Sequence, residues 1–189
     1  MPKKRDKKAA ILDAMLDLVV ERGFHNAPMS LLAKRSGASP GIIYHYFPSK
    51  DGIIHALYQR IASRKREAFL TGIRENMSPR EAALRMWLNS YHFYRAHRRE
   101  TRFLDQYLNS PYCQPDASHK QDQKDPTMAR FLKLWRPKSK GGVLKDLPPE
   151  AINSLSLGLA ATLAKSPRKF PPKTLKKIAE TVWTAVADE

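Results

Sequence analysis

A chain of 189 residues, 42% hydrophobic and 28% charged, can bury one good core, or a small module and a larger one. Its net charge is +16, and residues 1–66 hold 13 Lys+Arg against 5 Asp+Glu, half of the whole excess; a polyanionic partner or a solvated basic surface would both produce this. One cysteine, Cys113, excludes an internal disulfide framework, no apolar run approaches the roughly 20 residues that span a bilayer, and no apolar h-region follows the Lys-rich start, so a soluble cytoplasmic protein without a secretory signal is expected.

In chain order, Met1 to Lys8 (MPKKRDKK) reads as a basic arm. Ile11, Leu12, Met15, Leu18 and Val19 then recur at helical spacing up to Arg22, with Gly23 as a natural stop. A short helix is predicted over 28–35, with Pro28 at its first position and Leu31, Leu32 and Ala33 inward. Gly37 ends it, Ser39 caps the next helix and Pro40 suits that helix's first turn. Ile43 and Phe47, four apart, share the inner face of this second short helix, while Pro40, Gly41, Tyr44 and His45 lie on another. Pro48 disfavours helical backbone at Phe47 and stops the helix after about two turns. Two short helices across a tight Gly-containing turn are the sequence form of a helix-turn-helix, whose second helix enters the DNA major groove.

Ser49 opens a longer helix over 49–74, broken at Asn76-Met77, and Ser78-Pro79-Arg80-Glu81 forms a capping box for a helix over 79–97. That helix carries Leu84, Trp87, Leu88, Tyr91 and Tyr94, and a shorter one over 100–109 carries Phe103, Leu104, Tyr107 and Leu108. A loop follows to Asp125, then a helix over 126–135 with Phe131 and Trp135. A second loop leads to a helix from Pro148 with Ile152, Leu155, Leu159 and Leu163, and the last helix, over 172–187, carries Val182 and Trp183. No segment alternates at period two and no repeat is present. The fold class is all-α, with about nine helices: an N-terminal three-helix helix-turn-helix domain over 1–48 and a larger helical regulatory and dimerisation domain over 49–189.

The run Leu32-Ala33, Ser36-Gly37-Ala38-Ser39, Gly41-Ile42-Ile43-Tyr44-His45-Tyr46-Phe47 and Ser49-Lys50, with Glu21-Arg22-Gly23-Phe24 before it, resembles the signature of the tetracycline-repressor (TetR) family of bacterial transcriptional regulators. The specific match covers roughly residues 9–57. The sequence departs from the family at Ile42, where Thr is frequent, and at Pro28-Met29, where Thr residues are frequent; both positions often touch the DNA backbone in that family. The resemblance implies a homodimeric DNA-binding protein with a small-molecule inducer site in its C-terminal domain.

Chemically, Gly41 permits close approach to a groove, Tyr44 and Tyr46 can donate to phosphate, and His45 can bond a base edge or a phosphate. Lys50, at a helix start, can pair with phosphate, and Ser30 and Ser39 add hydroxyls. Tyr46 could equally pack within the module, Lys50 could be a solvated charge, and Lys3-Lys4-Arg5 could track the duplex or hang free. One short recognition helix reads few base pairs, so two half-sites and a homodimer are expected. Leu155, Leu159, Val182 and Trp183 on the last two helices are the candidate interface, some of which must instead be internal core.

Trp87, Tyr91, Phe103, Tyr107, Phe131 and Trp135 are candidates to line a cavity for a largely apolar or aromatic ligand, oriented by Tyr91, Tyr107, His92 or Asn89; the same spacing also builds an ordinary core. No phosphate loop, nucleophile elbow or zinc spacing is present, and His92 and His97, five apart, do not converge on a metal. A non-enzymatic protein without cofactor or metal is expected. The competing readings are an effector-independent DNA-binding or architectural protein and a small helical enzyme.

Overall fold

The computed structural model describes residues 6–113, 129, 132, 133 and 135–188. The predicted arm Lys3-Lys4-Arg5, Phe131 and most of the helix predicted over 126–135 lie outside them. The described residues form eight helices and no sheet: α1 Lys7–Arg22, α2 Met29–Ser36, α3 Pro40–Tyr46, α4 Lys50–Leu70, α5 Pro79–Ala96, α6 Arg98–Leu108, α7, and α8 Pro172–Val186. Helix α7 runs on through three segments, α-helical Pro149–Asn153, a π turn Ser154–Gly158 and α-helical Leu159–Lys165. Packing divides the chain into two units, Met1–Ser63 with Arg98–Gln114, and Arg64–His97 with Pro115–Glu189.

In the first unit, α1 starts at Lys7, inside the stretch expected to be an arm. Asp6 is the reason: its Oδ1 accepts from the Lys8 and Ala9 N–H groups at 3.0 and 3.2 Å, satisfying donors that a helix start leaves open. Ile11, Met15, Leu18 and Val19 of α1 are buried with Leu32, Ile43, Phe47 and, from α4, Ile53, Ile54, Leu57 and Ile61. Packing therefore runs on past residue 48, where the helical pattern breaks. Helix α6 adds Phe103, Leu104 and Tyr107 to this same core. Helix α2 begins one residue later than predicted, with Pro28 at its N-cap, where no side-chain cap bond forms because proline carries no hydroxyl; Ala27 before it is buried in the core.

In the second unit, the predicted capping box at α5 is formed. Ser78 Oγ accepts from the Glu81 N–H at 3.2 Å, and the Glu81 carboxylate accepts from the Ser78 N–H at 3.0 Å. That backbone bond, then the Ser78 hydroxyl, hold the Glu81 carboxyl below the usual carboxylate range. Helix α4 ends at Leu70, four residues short of the predicted 74, because Gly72 takes the left-handed conformation at φ 71°. Asn89 Nδ2 donates to the Phe69 and Thr71 carbonyls at 3.0 and 2.8 Å, closing that end. Helix α5 packs on α7 and α8 through Trp87, Tyr91, Ala160, Ala164, Leu175, Ala179 and Val182. The π turn holds Ser156 inside, where its carbonyl accepts the Trp87 Nε1–H at 3.1 Å. Arg95 clamps the end of α7, donating to the carbonyls of Ala164, Ser166 and Pro167.

Candidate nucleic-acid interface

The α2–α3 turn is built by short-range chemistry. Gly37 takes φ 65° and donates its N–H back to the Ala33 carbonyl at 3.1 Å, a left-handed stop that a Cβ would strain. Ser36, buried, accepts the Ala38 N–H at 3.3 Å. Ser39 then caps α3 by accepting the Ile42 N–H at 3.4 Å, with Pro40 at the first helical position. Phe47 leaves the helix at φ −140° and ψ 119°, as the following Pro48 requires.

Within α3, one side chain of seven is buried, Ile43, with Phe47 anchoring just beyond it. Gly41, Ile42, Tyr44, His45 and Tyr46 are all exposed, Tyr44 at 53%, Tyr46 at 42% and Ile42 at 38%. Beyond its chain neighbours and its own helix backbone, no described atom lies within 4 Å of where a Cβ on Gly41 would sit, and its φ is not in the left-handed region. Glycine is a weaker helix former than alanine, and no close contact among the described residues requires one at Gly41.

Pro40, Ser39 and Ser30 are exposed as well, with Ser39 Oγ engaged as the cap. His45 meets Tyr46 edge-on at 5.2 Å. Lys50 is neither a free solvated charge nor placed by phosphate alone: half-buried, it donates from Nζ to the Phe24 carbonyl at 2.6 Å, tying the start of α4 to the turn after α1. Two cations of the stretch that reads as a basic arm are held against the module. Lys7 donates to the Gly37 carbonyl at 3.2 Å and Lys8 stands over the Phe47 ring at 5.9 Å. The signal was Asp6, an N-cap residue among five lysines and arginines.

The aromatic candidates do not form one set. Phe103 and Tyr107 belong to the first unit, 0% and 2% exposed, where Tyr107 stacks on Tyr58 at 4.2 Å and Phe103 meets Phe24 edge-on at 5.8 Å. Trp87 and Tyr91 belong to the second, buried and stacked at 6.4 Å, and Trp135 meets Trp183 at 6.4 Å. Asn89, offered for ligand orientation, spends its amide on the end of α4, and His92 is exposed. A cleft of about 630 Å³ lies within the first unit, lined by Phe24, Asp51, His55, Gln106 and Tyr112 among others. Burial, then the nearby Asp51 charge, raise the Tyr112 phenol above its ordinary value. Of the interface candidates, Val182 and Trp183 are buried within the chain and Leu159 packs against the α5–α7–α8 core, whereas Leu155 is 44% exposed.

Residues 11–57 match the family described as bacterial regulatory proteins, tetR family, and residues 83–187 match the tetracyclin repressor-like C-terminal domain. Over 64 residues the chain is 41% identical to the HTH-type transcriptional regulator BetI of Klebsiella pneumoniae (strain 342), and 39% identical to BetI of Escherichia coli (strain K12 / DH10B). Each match covers 34% of this chain and 33% of the relative, so only a third of those regulators is matched. The fold is that of a TetR-family transcription regulator from Marinobacter aquaeolei VT8, at TM-score 0.84 and 19% identity over 97% of this chain and 96% of that one. A TetR-family regulator from Haemophilus influenzae RD superposes at TM-score 0.76 and 24% identity over the whole of both chains. Among the described residues no helix is long and apolar enough to cross a membrane.

Proposed function

The chain belongs to the tetR family of bacterial regulatory proteins and is a transcriptional regulator, and on that footing we propose that it is a homodimeric cytoplasmic repressor of a pseudo-palindromic operator. Gly41, Tyr44 and His45 meet bases and phosphates in the major groove, with Ser30, Ser39, Pro40, Tyr46 and Lys50 around them. The observation that carries this reading is the outward face of α3: a seven-residue helix with one buried side chain and a glycine whose Cβ position is empty. The outer face of α7, with exposed Leu155 and Thr162 and the small half-buried Gly158 and Ala161, supports pairing of α7 and α8 with their copies. Selection from random double-stranded DNA, followed by binding at moderate salt, tests the reading. An enriched sequence with two inverted half-sites is expected; no enrichment would sink it and revive the enzymatic alternative.

Release by a small, largely apolar or aromatic ligand is the second half of the proposal, drawn from Trp87, Tyr91 and Trp135. Phe103 and Tyr107 drop out of it, closed into the helix-turn-helix core. Ligand release requires different affinities for the DNA-bound and free states. The burial of Trp87 and Tyr91 against one another favours a second reading, an effector-independent DNA-binding protein. Titrating aromatic compounds into the protein–operator complex separates the two: dissociation supports the first, indifference the second.

A further inference from the structure

We propose that Ile42 reads the C5-methyl group of a thymine, so that each operator half-site carries a T·A pair beneath this side chain. The inference rests on the reading of α3 as the DNA-facing helix and goes on to assign one base contact within it.

Ile42 is the third residue of α3, on the turn that in a helix-turn-helix lies nearest the base edges. Next to it, Gly41 adds no side chain, so the backbone at Ile42 can sit deep in a groove. The Ile42 side chain is 38% exposed and joins none of the hydrophobic clusters among the described residues. More than a third of its surface is therefore left uncovered by the chain. It has no hydrogen-bonding group, so it can satisfy neither a phosphate oxygen nor the polar edge of a base.

In the major groove, adenine, guanine and cytosine present N7, O6 and amino groups, and thymine alone adds a methyl. An isoleucine at this depth has one apolar partner available, and that partner specifies a base. The side chain is also pre-set. Its own N–H is fixed by the Ser39 cap at 3.4 Å, and a β-branched residue in a helix keeps essentially one χ1 rotamer, so little freedom is lost on contact.

The test alters the DNA one methyl at a time and asks whether the effect depends on Ile42. In the duplex obtained by selection, each thymine is replaced in turn by deoxyuridine, in both half-sites symmetrically, and affinity is measured by fluorescence anisotropy. Losing one buried methyl weakens binding about fourfold per half-site, so about fifteenfold for the symmetric pair. The wild-type protein should show this loss at a thymine whose sensitivity disappears in Ile42→Ser and Ile42→Asn, which present no methyl group at this position, while other thymines respond alike in all three proteins. Specific binding by a wild type that tolerates deoxyuridine everywhere would overturn the assignment and leave the DNA-binding reading intact. A methyl effect that persists in both Ile42 variants would overturn it too. No sequence preference in the selection would overturn both.

Discussion

At the scale of single residues, the two glycines of the helix-turn-helix have opposite reasons for being there, and they should respond differently to the same change. Gly37 holds φ 65°, where a side chain costs roughly 1–2 kcal/mol, so Gly37→Ala should lower the thermal midpoint. Gly41 is not in the left-handed region and has room for a Cβ beyond its own helix turn, so Gly41→Ala should leave the midpoint unchanged or raise it. Both are read by thermal unfolding of the full chain. Lys50 has two uses. Lys50→Ala should cost about 1.5–3 kcal/mol through loss of the charge-assisted bond to the Phe24 carbonyl. It should also reduce the slope of log affinity against log salt by about 1; a normal stability with an unchanged slope would remove Lys50 from both roles.

At the scale of elements, the caps were legible because they are short-range. Ser39-Pro40 before α3, Ser78 to Glu81 before α5 and Pro48 after Phe47 each act within four residues, and each does in the fold what its sequence position demands. The Glu81 carboxyl, held below its ordinary range by Ser78, stabilises the fold while it is ionised. That contribution is present above the unfolded-state pKa and fades as pH falls through the lower folded-state value. Ser78→Ala should therefore flatten the acid limb of a stability-versus-pH profile, and an unchanged limb would refute the assignment.

Partners far apart in sequence were not legible. Helical spacing marked Phe103 and Tyr107 as one apolar face but could not say that this face meets Phe24 and Tyr58. Trp87 read as a candidate ligand contact because its acceptor, the Ser156 carbonyl, lies 69 positions away. Trp87→Phe loses that bond and part of the ring volume, and should destabilise the protein by more than about 1 kcal/mol in denaturant unfolding. The outward face of α3 was readable from Pro40 to Tyr46 because a seven-residue helix with two anchors leaves little choice of face. That Lys7 reaches the Gly37 carbonyl and Lys8 the Phe47 ring was hidden by reading Asp6 as part of an arm.

For the whole molecule, the basic excess and the short recognition helix set the same requirement. A charge of +16 supplies affinity for any duplex and makes it salt-dependent, whereas sequence reading needs two copies of α3. The proposed α7 pairing makes this testable at Leu155. Leu155→Glu should give a folded monomer by sedimentation, with weak salt-sensitive DNA binding and no preference for the operator; a dimer with full specificity would move the interface elsewhere. The central claim is that the bare backbone at Gly41 exists for the groove of DNA and not for the fold. Its most direct measurement is the operator affinity of the Gly41→Ala dimer at fixed salt. The account predicts a protein at least as stable as the wild type that binds its operator at least tenfold more weakly; wild-type affinity in that variant would contradict it.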